Sequence, residues 1–97
     1  MTSVRIFGFV MLAYCMTSQV IAQSVALPSG RGKDAVEGGC ATCHSLAYIP
    51  MNSRFLTQAQ WQAEVTKMRT AFGAPIDDAA ADAIVAYLAA NFAAQGK

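Results

Sequence analysis

The stretch Cys40-Ala41-Thr42-Cys43-His44 determines how the rest of the chain is interpreted. Its spacing, C-x-x-C-H, is the sequence signature for covalent attachment of a c-type haem. Two thiols separated by two residues can form thioether bonds to the two vinyl groups on one edge of a porphyrin, and the next residue then lies under the ring. Cys40 and Cys43 are therefore the predicted attachment points of one haem c, and His44 is the predicted proximal iron ligand.

Three other interpretations of the motif compete with haem. A closed zinc site needs about four ligands, and the chain offers only Cys15 as a further cysteine and no second histidine. A thioredoxin-like redox pair requires a βαβ context, which this sequence does not suggest. A structural disulfide between Cys40 and Cys43 would leave His44 unexplained.

The N-terminal stretch is predicted to be a targeting segment. The 97 residues suffice for one small domain, and residues 1–22 have the basic start, the short apolar run and the small-residue end of a secretory signal peptide. An uncleaved membrane anchor and a lipid anchor on Cys15 are the alternatives. Residues 23–31 are predicted as a flexible leader, and residues 32–97 as the monohaem domain. Export to the periplasm fits the motif, because haem is attached on the outer side of the bacterial membrane.

The chain that remains after cleavage has balanced charges. Removing Arg5 with the signal peptide leaves six basic residues of the original seven, against six acidic residues. No basic stripe is present, so the sequence gives no support for nucleic-acid binding. No membrane association is expected after cleavage. A domain this small usually needs a cross-link or a bound cofactor to be stable, and a covalent haem would serve as both.

The periodicity of the apolar residues predicts helices and no strand. The expected fold class is all-α, with about three helices packed around one covalent haem. A first short helix is predicted from about Gly32 to Gly38, because Gly32 and Val36 share a face and Gly38-Gly39 would end it. The last helix is predicted from Asp77 or Asp78 to about Phe92; its expected buried residues are Ile84, Val85, Leu88 and Phe92.

The middle of the chain is predicted as a loop followed by a well-signalled helix. Residues 45–55 read as a loop that wraps the ring edge, because Pro50 and neighbouring polar residues disfavour regular structure. Thr57 and Gln60 have the spacing of a capping box, and Gly73 would end the helix that follows. Its expected apolar stripe is Trp61, Val65, Met68 and Phe72.

The sixth iron ligand has two main candidates. After cleavage only Met51 and Met68 remain as thioether ligands. Met51 follows His44 by seven residues, which span at most about 23 Å, so it would need a taut path around the ring. Met68 follows by 24 residues and lies on the expected apolar stripe, which favours it. A lysine ligand such as Lys67 and an open site are the remaining options.

The order of these features resembles class I cytochrome c, the small all-α monohaem family. That family packs a glycine and an apolar residue of its first helix against an aromatic of its last helix. Gly32, Val36 and Tyr87 match these positions. Two features depart from the pattern: Pro50 comes earlier than the family's proline, and Met68 lies in a predicted helix where the family has a loop methionine.

A closer resemblance is to the cytochrome subunit of bacterial sulfite dehydrogenase. Its residues here are Cys43-His44-Ser45-Leu46, Tyr48-Ile49, Trp61, Glu64-Val65-Thr66-Lys67-Met68 and Phe72-Gly73-Ala74-Pro75-Ile76. The resemblance implies that Met68 binds the iron. It also implies a heterodimer in which a molybdenum-cofactor subunit oxidises sulfite and passes electrons to this chain, which then reduces another cytochrome c.

His/Met ligation favours electron transfer over bond-making catalysis, because the thioether raises the reduction potential and both axial positions are filled. The expected function is a periplasmic one-electron carrier, which is not itself an enzyme. The alternatives are a free monohaem shuttle for other dehydrogenases and a gas-binding haem protein with a displaceable sixth ligand.

Overall fold

A computed structural model describes residues 25–95, which form four α-helices and no strand. The helices are α1 (Lys33–Cys40), α2 (Tyr48–Asn52), α3 (Gln58–Thr70) and α4 (Asp78–Phe92). The predicted all-α class is confirmed for this range, with one helix more than the three expected. The predicted signal peptide, residues 1–22, lies outside the described residues. Between residues 25 and 95, no helix has the length and the apolar character needed to span a membrane.

Helix α4 lies at the centre of the packing. Helices α1, α2 and α3 each pack on α4, and in the described range they come close to no other helix. Apart from Ile49 and Ile76, the buried residues come from α1, α3, α4 and the segment before α1: Leu27, Val36, Trp61, Val65, Ala81, Ile84, Tyr87 and Leu88. These residues form a single core on α4. The candidate site lies beside this core, in the space that separates α1, α2 and α3.

The first helix ends later than predicted. Gly38 and Gly39 were expected to stop it, but α1 continues through both to Cys40. A Cβ atom at position 39 would lie 3.1 Å from Cγ1 of Ile76 and 3.4 Å from Cδ1 of Ile84. Gly39 thus lets the helix approach these side chains, and this close packing outweighs the helix cost of glycine, about 1 kcal/mol.

The same helix begins against α4. Gly32 is the N-cap of α1 with a left-handed φ of 93°. A Cβ at this position would lie 2.6 Å from the carbonyl oxygen of Ala83 and 2.9 Å from Cβ of Tyr87. The predicted approach of Gly32 to Tyr87 is therefore present, and Val36, one turn later, is fully buried.

The segment predicted as a loop contains a helix. Residues 48–52 form the single-turn helix α2, and Pro50 is its third residue. Proline is tolerated there because the first N–H groups of a helix have no intrahelical acceptor. The Pro50 carbonyl accepts a hydrogen bond from Ser53 N–H at 3.4 Å. One side chain of α2, Ile49, is buried against the core.

Helix α3 begins with the predicted capping box. The Thr57 hydroxyl accepts a hydrogen bond from Gln60 N–H at 3.3 Å, and the Gln60 side chain accepts one from Thr57 N–H at 2.9 Å. One residue further on, Trp61 is buried, and its indole Nε1 donates to the Phe92 carbonyl at 3.0 Å. The start of α3 is thereby fixed to the end of α4.

Helix α3 ends before Phe72, which was predicted to belong to its apolar stripe. The helix ends at Thr70, and Gly73 adopts a left-handed φ of 67° as predicted for a terminating glycine. Ala74 N–H then donates back to the Met68 carbonyl at 2.9 Å. Phe72 falls in this turn and is 67% exposed. Its assignment to the buried stripe was wrong, because the helical periodicity stops before it.

Helix α4 begins as predicted, with Asp77 as N-cap and its carboxylate accepting from Ala80 N–H at 2.7 Å. Arg69 of α3 fixes the segment before it. Its Nε donates to the Ile76 carbonyl at 2.9 Å, and its guanidinium also binds the Asp78 carboxylate. The turn between α3 and α4 is therefore tied to both helices.

Residues 25–31, predicted as part of a flexible leader, lie against the helices. Leu27 is 6% exposed and belongs to the core. The Tyr87 hydroxyl donates to the Pro28 carbonyl, and this bond joins the stretch to α4. Leu27 and Pro28 thus contact the core ahead of residue 32, where the monohaem domain was predicted to begin.

Candidate functional site

An apolar cleft, partly open to solvent, lies between α1, α2, α3 and α4. Clefts lined mainly by apolar side chains are typical of small-molecule and cofactor sites. Its apolar walls are Ile49, Trp61, Val65, Ala74, Ile76 and Leu88. A cleft with these walls suits a largely apolar ligand.

The three chemically reactive residues of the motif all line this cleft. Cys40 is the last residue of α1 and is half-buried, whereas Cys43 and His44 follow in the turn and are exposed. The Thr42 hydroxyl donates to the Gly38 carbonyl at 3.2 Å and holds this turn to the end of the helix. The helix end and the turn thus present both thiols and the imidazole to the same space.

The imidazole of His44 is oriented by its own backbone neighbourhood. Its Nδ1 lies 3.2 Å from the Ser45 carbonyl oxygen. Because a carbonyl can only accept, Nδ1 is the donor in this contact, and in the neutral imidazole the lone pair is then on Nε2. The Tyr48 ring lies beside it, with centroids 5.5 Å apart. A histidine held through one nitrogen is prepared to bind a metal through the other.

The two thiols are free and differ in environment. Neither Cys40 nor Cys43 is in a disulfide. Burial raises the pKa of the Cys40 thiol, and the nearby charge of a Cys43 thiolate raises that pKa further. Cys40 therefore stays protonated to higher pH than a solvated cysteine.

The two candidate methionines are placed differently. Met68 is half-buried and lines the cleft, on the same wall as Trp61 and Val65. Met51 lies on α2, is 69% exposed and does not line the cleft. Lys67 does not line it either, and its ammonium is bound to the Glu64 carboxylate at 2.8 Å. The structure thus brings Met68, and neither Met51 nor Lys67, together with the motif.

Glu64 is the one carboxylate among the residues that line the cleft, and it was not among the residues of the predicted apolar stripe. It lies three residues after Trp61 and four before Met68, which puts all three on one side of α3. That spacing could have indicated that Glu64 faces the cleft. It was not used, because a charged residue next to an apolar stripe is normally assigned to the solvent-exposed face of the helix.

The donor set fits a covalently held haem. Two thiols, an imidazole with a free Nε2 and a thioether surround one apolar cleft, which is the ligand chemistry of a His/Met cytochrome c. By contrast, no group of three or more His, Cys, Asp or Glu side chains within residues 25–95 could hold a metal ion.

No protein-family model matches this chain, and no curated protein matches it significantly. The function proposed below therefore rests on the residues of the cleft and on the resemblance stated above.

Proposed function

We propose that this chain is a periplasmic one-electron carrier, a monohaem c-type cytochrome. The observation that carries the proposal is the convergence of Cys40, Cys43, His44 and Met68 on one apolar cleft. Sequence spacing alone predicts the first three as a group, and for the fourth it favours Met68 while keeping Met51 as an alternative. The position of Met68 in the same cleft supports His/Met ligation and hence electron transfer.

Each residue of the cleft has a defined role in this proposal. Cys40 and Cys43 would hold the haem through thioether bonds, and His44 Nε2 and the Met68 sulfur would bind its iron. The haem would supply reversible one-electron Fe(III)/Fe(II) chemistry. With His44 and Met68 both bound to the iron, this chain's own side chains would exclude oxygen and substrates from it.

The surroundings of these ligands suit electron exchange with a partner. Ile49, Val65 and Leu88 line the cleft with buried apolar side chains. Cys43 and His44 are exposed, so the thioether edge would face the solvent, where a redox partner can approach it.

The first test of this proposal compares visible and near-infrared spectra of the haem-loaded protein with those of Met68→Ala. We expect a c-type spectrum with a sulfur-to-iron charge-transfer band, and loss of that band in Met68→Ala. Met51→Ala is the matched control and should retain the band, because Met51 is exposed and outside the cleft. A band that survives Met68→Ala and disappears in Met51→Ala would overturn the ligand assignment.

The redox partner is inferred from the resemblance of the segments between Cys43 and Ile76 to the cytochrome subunit of bacterial sulfite dehydrogenase. We propose that the electron donor is a molybdenum-cofactor subunit that oxidises sulfite, paired with this chain as a heterodimer, and that the acceptor is another cytochrome c. Two electrons leave each sulfite, so this chain would carry them one at a time.

Stopped-flow mixing with sulfite tests the partner. We expect reduction of the haem only when the molybdenum subunit is present. If that subunit and sulfite leave the haem oxidised while other dehydrogenases reduce it, the chain is a free shuttle. Carbon monoxide binding to the reduced protein at neutral pH would instead indicate a displaceable sixth ligand and gas binding.

A further inference from the structure

The carboxylate of Glu64 is out of place in the apolar cleft. Its side chain is 28% exposed, and its Oε2 atom is shielded from solvent. The nearest positive charge is the Lys67 ammonium, 2.7 Å from Oε2 and hydrogen-bonded to Oε1 at 2.8 Å. A charge placed in this position acts on whatever occupies the cleft.

The two members of the pair do not face the cleft equally. Glu64 lines it, whereas Lys67 does not and has a side chain that is 49% exposed. Water screens the ammonium more strongly than the half-buried carboxylate. The field in the cleft is therefore that of a negative charge only partly offset by its partner.

We propose that Glu64 lowers the reduction potential of the bound haem and that Lys67 weakens this effect. This inference rests on the proposed function. Taking up one electron lowers the charge of the iron centre by one unit, so a nearby carboxylate stabilises the oxidised form and opposes reduction. Lys67 weakens this opposition by partly neutralising the carboxylate.

The experiment is an equilibrium redox titration of the haem-loaded protein with chemical mediators. Glu64→Gln removes the negative charge with little change in shape, and we expect a higher reduction potential. Lys67→Gln removes the compensating charge, and we expect a lower one. The opposite signs are the signature of the pair, because general loosening of the cleft would move both variants in one direction.

A second ion pair provides the matched control. Lys33 and Glu37 of α1 lie 3.6 Å apart and do not line the cleft. Glu37→Gln and Lys33→Gln change the net charge by the same amounts as the two test variants. We expect much smaller shifts of the potential for them. The charge-transfer band shows whether each variant keeps its sixth ligand.

The possible results are distinguishable. If Glu64→Gln shifts the potential no more than Glu37→Gln, or if both test variants shift in one direction, the inference is wrong while the proposed function stands. If the wild-type protein takes up no covalent haem, both fail together. If Glu64→Gln does not fold, Lys67→Gln alone must lower the potential relative to Lys33→Gln, and an unchanged potential overturns the inference.

Discussion

The two thiols of the C-x-x-C-H motif have different environments although only two residues separate them. Cys40 ends a helix that is packed on the core, and Cys43 lies in the exposed turn that follows. Burial, with a smaller contribution from Cys43, raises the pKa of Cys40. Because the thiolate is the reactive form of cysteine, the two sites should differ in reactivity.

Alkylation of the haem-free protein should therefore modify Cys43 before Cys40. We expect the exposed Cys43 to react faster, and the Cys40 rate to rise only at a higher pH than that of a solvated cysteine, because burial raises the pKa of Cys40. Site-resolved mass spectrometry after timed iodoacetamide treatment measures both rates. Equal rates at all pH values would contradict the environment described for Cys40.

The same shift affects stability. Above the ordinary cysteine pKa the unfolded chain releases the Cys40 proton while the folded chain retains it. The free energy of unfolding of the haem-free protein should therefore fall as the pH rises through that range. The haem-loaded protein is the control, because thioether sulfurs do not titrate.

Residue-scale prediction from the sequence succeeded where the signal is local. The Thr57–Gln60 capping box needs only two residues three positions apart, and both of its hydrogen bonds are present. It failed for Glu64, whose burial depends on which side of α3 faces the cleft. It favoured Met68 as the iron ligand but kept Met51 as an alternative, because only tertiary packing determines which of the two lines the cleft.

At the scale of helices, the contact of α1 with α4 depends on a residue without a side chain. Gly32 combines a left-handed φ with hypothetical Cβ contacts below 3 Å to Ala83 and Tyr87. Gly38, in the same helix, has no atom within 4 Å of its hypothetical Cβ. A methyl group would therefore clash with α4 at position 32 but would meet no atom at position 38.

Gly32→Ala should destabilise the protein by about 2–5 kcal/mol, from backbone strain and overpacking together. Gly38→Ala should instead stabilise it by about 0.5–1 kcal/mol, because alanine favours an exposed helix interior over glycine. Denaturant unfolding of the two variants and the wild type gives both values. Similar effects at the two positions would mean that Gly32 does not lie against α4.

The helix boundaries show what local rules cannot decide. Gly38-Gly39 was read as a helix end, but Gly39 serves the packing of α1 against Ile76 and Ile84. Pro50 was read as a breaker, although the third position of α2 accepts it. In both cases the residue type was recognised correctly, and its role was decided by contacts with distant residues.

At the scale of the whole molecule, the packed domain includes the stretch before α1. Leu27 is buried in the core, while Phe72, an equally apolar residue, is 67% exposed. The sequence suggested the reverse, because Leu27 lies beside proline and serine, and Phe72 continues a helical spacing. Burial here depends on the path of the chain and not on composition.

Leu27→Ala should lower the free energy of unfolding by about 2–3 kcal/mol, the cost of a cavity in a small core. Phe72→Ala should change it by less than about 0.5 kcal/mol, as expected for an exposed site. Thermal unfolding of the haem-loaded protein compares the two. A neutral Leu27→Ala would restore the interpretation of residues 25–31 as a leader outside the fold.

The central position of α4 has a consequence for the order of folding. Within residues 25–95, helices α1, α2 and α3 pack on no helix except α4, and α4 follows all of them in the chain. A ribosome adds about 5–20 residues per second, so during synthesis the earlier helices emerge before the helix on which they pack. The core around α4 therefore cannot close until residues 78–92 have been made, and under the proposed export to the periplasm this delay would favour passage of an unfolded chain through a secretion channel.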